Sequence, residues 1–338
     1  MVTGGAGYVG SIVAEELLKL EHEVVILDNL QQGHAGAILP EAEFVFGDII
    51  NSASLDIVFD TYRIDAVMHM AAETVVEFSM TDPRRYFQNN IIGGIHLLDS
   101  MLKHGVKKLI FSSSAATYGE PRHKPLEEDH PQVPVNSYGE TKLMFEKIIK
   151  WYGQAYGLQS IALRYFNAAG ASKRLGEDHR PETHLIPNIF RAALDSGCPV
   201  TVFGKDYPTR DGTCERDYVH VRDIAQAHIL SLAKLDELSG QAYNLGSGQG
   251  YSVLEVVREV GRVSGHDIPI EYTPRRAGDP AVLLASSRRA RSELGWKPEF
   301  SDLDVIIESA WKWISQHPEG YQDTGVIGKV PSDNVRTQ

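Results

Sequence analysis

Seven residues near the start, Gly4-Gly5-Ala6-Gly7-Tyr8-Val9-Gly10, constrain this chain more than any other stretch. They satisfy G-x-G-x-x-G through Gly5, Gly7 and Gly10, and G-x-x-G-x-x-G through Gly4, Gly7 and Gly10. Either spacing turns a strand tightly into a helix, lets the backbone approach a pyrophosphate, and leaves unpaired N–H groups at the helix N-terminus to hold its charge. An isolated match is as often a plain glycine-rich turn, so context decides. Eighteen residues after Gly10, closing the apolar run 24–27, stands Asp28, where a carboxylate accepts hydrogen bonds from an adenosine ribose and repels a 2′-phosphate. The expected cofactor is therefore NAD and not NADP. Asp48 and Ile49, after the third expected strand, offer an acceptor and an apolar wall for the adenine.

The rest of the first half agrees with that turn. Apolar runs at 23–27, 44–46, 66–70, 109–112 and 161–166 read as buried strands, and residues 10–21, 54–62, 84–104 and 137–156 carry apolar positions at helical spacing. Such alternation implies right-handed crossovers and an α/β fold with a Rossmann-type, doubly wound parallel sheet. After Phe166 loop-rich stretches at 168–183 and 204–217 separate shorter elements at 184–196, 221–235, 252–264 and 301–316. The expected organisation is a dinucleotide-binding domain over 1–168, to which 218–247 returns, a smaller C-terminal substrate domain over 169–320, and a loose tail over 321–338. Only Met1 to Thr3 precede the glycines, a first strand shorter than a central strand usually is, which reads as an abbreviated start.

Charge and cysteine usage narrow the partners. Thirty-three Lys and Arg against 45 Asp and Glu give a formal charge of −12, which repels phosphodiester backbones and anionic lipid, so neither nucleic acid nor a membrane is expected as partner. No apolar run approaches the ~18 residues of a transmembrane helix. Cys198 and Cys214 form no CxxC pair, and no leader-like segment opens the chain. A reducing, cytoplasmic setting is expected, and no metal site is assigned.

Ser112, Ser113 and Ser114 end an expected strand at the carboxyl edge of the sheet, where open α/β folds place their ligands. Tyr138 and Lys142 open a helix four residues apart, on one face. A phenol of pKa ~10 is a poor base at neutral pH. A cation about 4 Å away, at an effective dielectric of about 20, contributes ~4 kcal/mol toward the phenolate, or about 3 pKa units at most. That brings Tyr138 into the operating range of a general base. A tyrosine and a lysine at this spacing are common on helix surfaces; the serines and the glycine turn make this pair a catalytic candidate.

Gly4 to Gly10, Asp28, His69-Met70-Ala71-Ala72, Asn89, Ser112 to Ser114, Tyr138 to Lys142 and Leu163-Arg164-Tyr165-Phe166-Asn167-Ala168-Ala169-Gly170 together resemble the extended short-chain dehydrogenase/reductase family. Thr183-His184-Leu185-Ile186-Pro187, the stretch 202–213, Arg216-Asp217-Tyr218-Val219-His220-Val221 and Arg275-Arg276-Ala277-Gly278-Asp279 are similar to its UDP-hexose 4-epimerase branch, and the resemblance runs from residue 2 to about 316. It implies NAD-dependent inversion at C4 of UDP-glucose or UDP-galactose through a transient 4-keto sugar. Tyr138 would take the proton of the 4-hydroxyl, Ser114 hold the 4-oxygen, and Lys142 hold the nicotinamide ribose and keep Tyr138 acidic.

The same resemblance sets NAD against Gly4, Gly7, Tyr8, Val9, Asp28, Asn29, Asp48, Ile49, Met70, Ala71, Ala72, Asn89, Ser112, Tyr138, Lys142 and Tyr165. It sets the UDP-sugar against Ser114, Tyr138, Asn167, His184, Leu185, Val202, Phe203, Arg216, Tyr218, Arg276, Asp279 and Leu283. Asn167, Arg216 and Arg276 would meet the diphosphate, whose charge suits arginine forks, and Asp279 the uridine ribose. For Arg216 the competing reading is a surface ion pair with Asp217 or Asp211, and His220 receives no chemical role. The family suggests a homodimer, which a bundle of helices 84–104 and 137–156 would mediate.

Thr74 stands where some members carry a cofactor-contacting lysine, and Leu283 where members restricted to glucose and galactose carry a tyrosine, so N-acetylated sugars are expected as additional substrates. Ala115 and Ala116 follow Ser114, where nucleotide-sugar dehydratases need an acid pair, and this disfavours elimination. Epimerases of UDP-N-acetylglucosamine, UDP-xylose or UDP-glucuronate, and a non-catalytic NAD-binding regulator, are the alternative readings.

Overall fold

In the computed structural model, which describes residues 1–195, 198–276 and 279–322, the apolar runs of the first half form β1 (Val2–Thr3), β2 (Val25–Asp28), β3 (Glu43–Phe46), β4 (Val67–His69), β5 (Lys108–Ser114) and β6 (Gln159–Tyr165). β7 (Asn167–Ala169), β8 (Val200–Phe203), β9 (Glu215–His220), β10 (Gln241–Leu245), β11 (Gly250–Ser252), β12 (Ile270–Thr273) and β13 (Val282–Leu283) follow. From residue 323 on, the expected loose tail lies outside the described residues.

The main sheet has seven strands in the order β10-β6-β5-β4-β1-β2-β3, with every neighbouring pair parallel. This is the Rossmann-type doubly wound arrangement. Its strands alternate between two cores. Val25, Leu27, Val67, Leu109, Phe111 and Ala162 join Leu55, Leu97 and Phe145 on one face, while Ile26, Met68, Ile110, Ile161 and Leu163 join Ile12, Val13 and Ile224 on the other. Fully burying each large side chain contributes ~1.5–3 kcal/mol, so a sheet covered on both faces requires continuous apolar runs rather than alternating ones. Two-residue β1 still sits centrally, with Val2 opposite both Ile26 and Met68.

Helices α1 (Tyr8–Lys19) and α2 (Ser52–Thr61) make the first crossovers. The expected helix at 84–104 is composite. After the short α3 (Val76–Thr81), α4 (Pro83–Tyr86) passes through a π-helical stretch, Phe87–Gly93, into α5 (Gly94–Lys103). Buried Asn90 lies on that stretch, accepting from Glu73 N and donating to Glu73 O and Thr141 Oγ1. Such wide turns recur at functional sites, and Asn89 beside it faces the cleft described below. Helix α6 (Ser137–Tyr156) has the expected bounds for local reasons: the Asn136 side chain accepts from Gly139 N at 2.8 Å, and Gly157 ends the helix in the left-handed region at φ 73°.

The second half adds α7 (Leu185–Leu194), α8 (Val221–Ala233), α9 (Leu235–Leu238), α10 (Val253–Ser264) and α11 (Leu303–Gln316). α8 packs against α1, and β10 extends the main sheet beside β6. Ile186, Phe190, Val202, Val256, Val260, Ile306 and Ile307 form a separate core from α7, β8, α10 and α11. Two small sheets flank it, β11-β9-β13 with β7 pairing β9, and β12-β8.

Candidate active site

Helix α1 begins at the carboxyl edge of the main sheet, with Gly7 as its N-cap and no side-chain cap. Its first-turn amides are therefore available to an anion. Gly4 has φ +70°, and a Cβ there would lie 2.6 Å from Ala71 N; a Cβ on Gly10 would lie 2.1 Å from Gly4 O. The turn thus requires glycine at positions 4 and 10 for its shape, and the cradle fits a dinucleotide pyrophosphate. At the end of β2, Asp28 accepts from Ala6 N at 3.0 Å and from Leu30 N at 2.8 Å, which ties the carboxylate to the glycine turn. Burial pushes its pKa up against those hydrogen bonds. Asn29 donates to Asp48 Oδ2 at 2.9 Å on the next strand end.

An open cleft of about 1600 Å³ extends from this turn to the second core. From the first half it is lined by Gly4, Gly7, Tyr8, Val9, Asp28, Asn29, Asp48, Ile49, Met70, Ala71, Ala72, Asn89, Ser114, Tyr138 and Tyr165. From the second half it is lined by Asn167, His184, Leu185, Phe203, Arg216, Tyr218, Arg276, Asp279 and Leu283.

Three expected residues stand back from it. β8 buries Val200 and Val202 and leaves Thr201 and Phe203 partly exposed, so the Val202 side chain belongs to the second core and Phe203 alone of the pair faces the cleft. Strand alternation is the reason. Ser112 is buried, with its Oγ paired to His228 Nε2 at 2.9 Å and its carbonyl accepting from Lys142 Nζ at 2.8 Å. Lys142, only 4% exposed, lies behind Tyr138, with Nζ 5.0 Å from the Phe111 ring centre and 5.8 Å from that of Tyr138.

Burial sets the electrostatics of this pair. Burial raises the Tyr138 pKa, and a hydrogen bond with Ser114 pulls it back only in part. Burial lowers Lys142 to about 7, opposed by the Glu146 charge. Burial dominates at both groups, and at the phenol it is the Ser114 hydrogen bond that offsets it.

On the far side, Arg216 donates to Glu215 O and Pro280 O, both at 2.9 Å, and to Asp279 Oδ1 at 3.2 Å. Its acidic partner is thus Asp279 rather than Asp217, whose carboxylate accepts from Ser247 N, Gly248 N and Ala285 N. The Arg276 guanidinium lies 3.8 Å from the Phe203 ring centre. Asn167 Nδ2 donates to Asp217 O at 2.8 Å. Leu283 pairs with Arg216 in the β13–β9 register and packs on the cluster of Ala115, Tyr118, Leu126, Phe166 and Ala285. His220 caps α8 by accepting from Arg222 N at 3.1 Å.

His184 faces the cleft, but its Nδ1 stands 2.8 Å from Glu182 Oε1 and 3.0 Å from Glu177 Oε1. Glu177, His179 and Glu182 line the same cleft, and sequence reasoning passed over them. The spacing Glu177-x-His179-x-x-Glu182-x-His184 was the available signal.

A parallel sheet of this order binds dinucleotides at its carboxyl edge, and a serine, a tyrosine and a lysine gathered there suit proton and hydride transfer at an alcohol carbon. These features define the class of nicotinamide-dependent enzymes built on the short-chain dehydrogenase plan. The model of the NAD dependent epimerase/dehydratase family matches residues 1–246, and the chain belongs to that family. It is 51% identical over 325 residues to the UDP-glucose 4-epimerase of Halalkalibacterium halodurans, across 95% of this chain and 97% of that one. It superposes on a crystal structure of a UDP-glucose 4-epimerase with a TM-score of 0.93 at 48% identity, covering 95% of this chain and 98% of the other. With the UDP-glucose 4-epimerase from Bifidobacterium longum, solved in complex with NAD+ and UDP, the TM-score is 0.90 at 37% identity, covering 95% and 99%.

Proposed function

We propose that Tyr138 is the acid–base residue of an NAD-dependent 4-epimerase acting on UDP-hexoses, with Ser114 on the sugar 4-oxygen and Lys142 behind the phenol. The chain is an isomerase of this type, as its family and its likeness to UDP-glucose 4-epimerases over nearly its full length support. The observation that carries the residue roles is the meeting of the Tyr138 phenol with Ser114 in a cleft that also reaches the glycine turn and Arg216, Arg276 and Asp279.

In this reading NAD rests on residues 1–168 with 218–247, and 169–320 supplies the UDP side. The glycine turn and the amides of α1 would hold the pyrophosphate and Asp28 the adenosine ribose, with Asp48, Ile49, Met70, Ala71, Ala72, Asn89 and Tyr165 lining the cleft around them. NAD held in this cleft would supply the hydride acceptor and donor for C4. Tyr138 takes the proton from the 4-hydroxyl and gives it back, while Ser114 hydrogen-bonds the 4-oxygen as its charge changes. Arg216 and Arg276 hold the diphosphate while the sugar turns about it within the open cleft.

A homodimer through α5 and α6 belongs to the same reading; Ile92, Trp151 and Tyr156 are exposed large side chains on or beside these helices. Among the described residues no helix is long and apolar enough to cross a membrane. The free thiols of Cys198 and Cys214 support a reducing, cytoplasmic setting. The deciding experiment is conversion of UDP-galactose to UDP-glucose by pure protein with no added cofactor, followed by denaturation and identification of the released nucleotide. Turnover with NAD released is expected; no turnover even with NAD supplied overturns the proposal.

A further inference from the structure

Four side chains in and beyond the loop joining β7 to α7 converge on one point. Glu177, His179, Glu182 and His184 each offer one ligand atom, and these atoms all lie within 4.8 Å of one another. His179 Nδ1 is 3.2 Å from Glu177 Oε1 and 3.8 Å from Glu182 Oε2, while His184 Nδ1 is 3.0 Å from Glu177 Oε1 and 2.8 Å from Glu182 Oε1. A tetrahedral cation with ligands at about 2.0–2.2 Å keeps them about 3.3–3.6 Å apart, a range these separations straddle.

Pairwise hydrogen bonding accounts for the arrangement less well. Glu177 Oε1 faces both imidazole nitrogens, and the one Nδ1 of His184 faces two carboxylates. A single N–H serves only one of them well. His179 Nδ1 is buried and makes no hydrogen bond of acceptable geometry. A divalent cation that displaces the imidazole protons leaves two carboxylates and two neutral imidazoles around it, a set whose net charge the ion cancels. Glu182 is fixed in place, its side chain 1% exposed and its Oε1 accepting from the backbone N–H of Thr183 and of His184, both at 2.8 Å.

We propose that Glu177, His179, Glu182 and His184 bind one divalent transition-metal ion, zinc by preference, as a structural clamp beside the nucleotide cleft. Two nitrogens and two oxygens in a compact set suit zinc, whereas calcium and magnesium take more oxygen ligands. Four protein ligands close the coordination shell, which assigns the ion to structure rather than to catalysis. The clamp also spans the cleft's two sides. The His179 ring meets Tyr8 of the glycine turn edge-on at 6.2 Å, and the Tyr8 hydroxyl donates to Gly170 O at 2.6 Å, while His184 is the N-cap of α7. The ion would therefore hold the pyrophosphate turn and the start of α7 in fixed relation.

The test uses the full chain purified without chelators. Metal analysis is expected to find zinc near one per chain. After stripping, titration with cobalt(II) alone is expected to give the intense visible absorption of a tetrahedral site, saturating at one equivalent, and zinc is expected to raise the Tm. His179→Ala and Glu177→Gln should lose the stoichiometric metal, the cobalt spectrum and the Tm response while keeping NAD bound, which reports that they fold. Absence of the tetrahedral spectrum in the wild-type chain, or undiminished zinc in folded His179→Ala, overturns the site. If neither variant folds, the wild-type cobalt titration decides alone.

Discussion

The Lys142 ammonium stands 5.8 Å from the centre of the Tyr138 ring and donates to the Ser112 carbonyl at 2.8 Å. One helical turn separates the two residues on α6, so their shared face follows from the sequence, but the strand beneath decides where the ammonium points. Lys142 is anchored to the strand carrying the serines, and a hydrogen bond with Ser114 favours ionisation of Tyr138 against its burial.

Tyr138→Phe removes the proton carrier and leaves the rest of the cleft in place. Binding of NAD and UDP should survive, while kcat falls by ~10²- to 10⁴-fold, the usual contribution of a general acid–base group. Stopped assays at saturating UDP-galactose measure this, and turnover within a few fold of wild type removes Tyr138 from the mechanism.

Lys142 gives the fold a signed pH dependence. Its pKa is about 7 in the fold and ~10.4 in an unfolded chain, so between these values the unfolded chain binds more protons and stability rises with pH. The burden is fully present below about 7 and is relieved as pH climbs toward about 10. At about 1.4 kcal/mol per pKa unit, a few kcal/mol are involved. Urea unfolding of the nucleotide-free protein from pH 7 to 9 should show wild type gaining on Lys142→Met; a gap that stays constant with pH means the buried lysine remains charged.

Gly10→Ala tests the turn itself. The new Cβ would meet Gly4 O at 2.1 Å, with backbone on both sides unable to give way. Overpacking of this kind costs ~1–3 kcal/mol, and the shifted turn should release NAD during purification. A variant that keeps both wild-type Tm and wild-type NAD content would show that the turn has room to spare.

Substrate range turns on Leu283, which packs on Ala115 and Phe166 beside Ser114 and faces the cleft. UDP-N-acetylglucosamine should be epimerised along with UDP-galactose. Leu283→Tyr should lower the kcat/KM ratio of the first to the second by roughly 10- to 100-fold, the equivalent of ~1–3 kcal/mol of crowding. An unchanged ratio would assign Leu283 to packing alone.

Trp151 is 69% exposed on α6, and a partner's helices would cover it in the proposed dimer. Sedimentation at micromolar concentration should show a dimer, and Trp151→Glu a monomer. A monomer in the wild type rules out the bundle.

Local chemistry in the sequence was enough for the glycine turn, Asp28 at the end of β2, the two-sided strands and the bounds of α6, because caps, turns and apolar periodicity act over a few residues. The cleft's divided ownership was partly readable from the same positions. Tertiary structure alone decided the rest. Val202 turned inward because the pairing of β8 with β12 and the core below it set which face of the strand is buried. Arg216 met Asp279, 63 positions away, because β13 pairs with β9. Lys142 and Tyr138 acquired their pKa directions from burial, which no spacing reveals. Glu177, His179, Glu182 and His184 lie within eight residues of sequence, yet only the folded path of the loop brings their four ligand atoms together, since an irregular segment has no period from which to read a shared face.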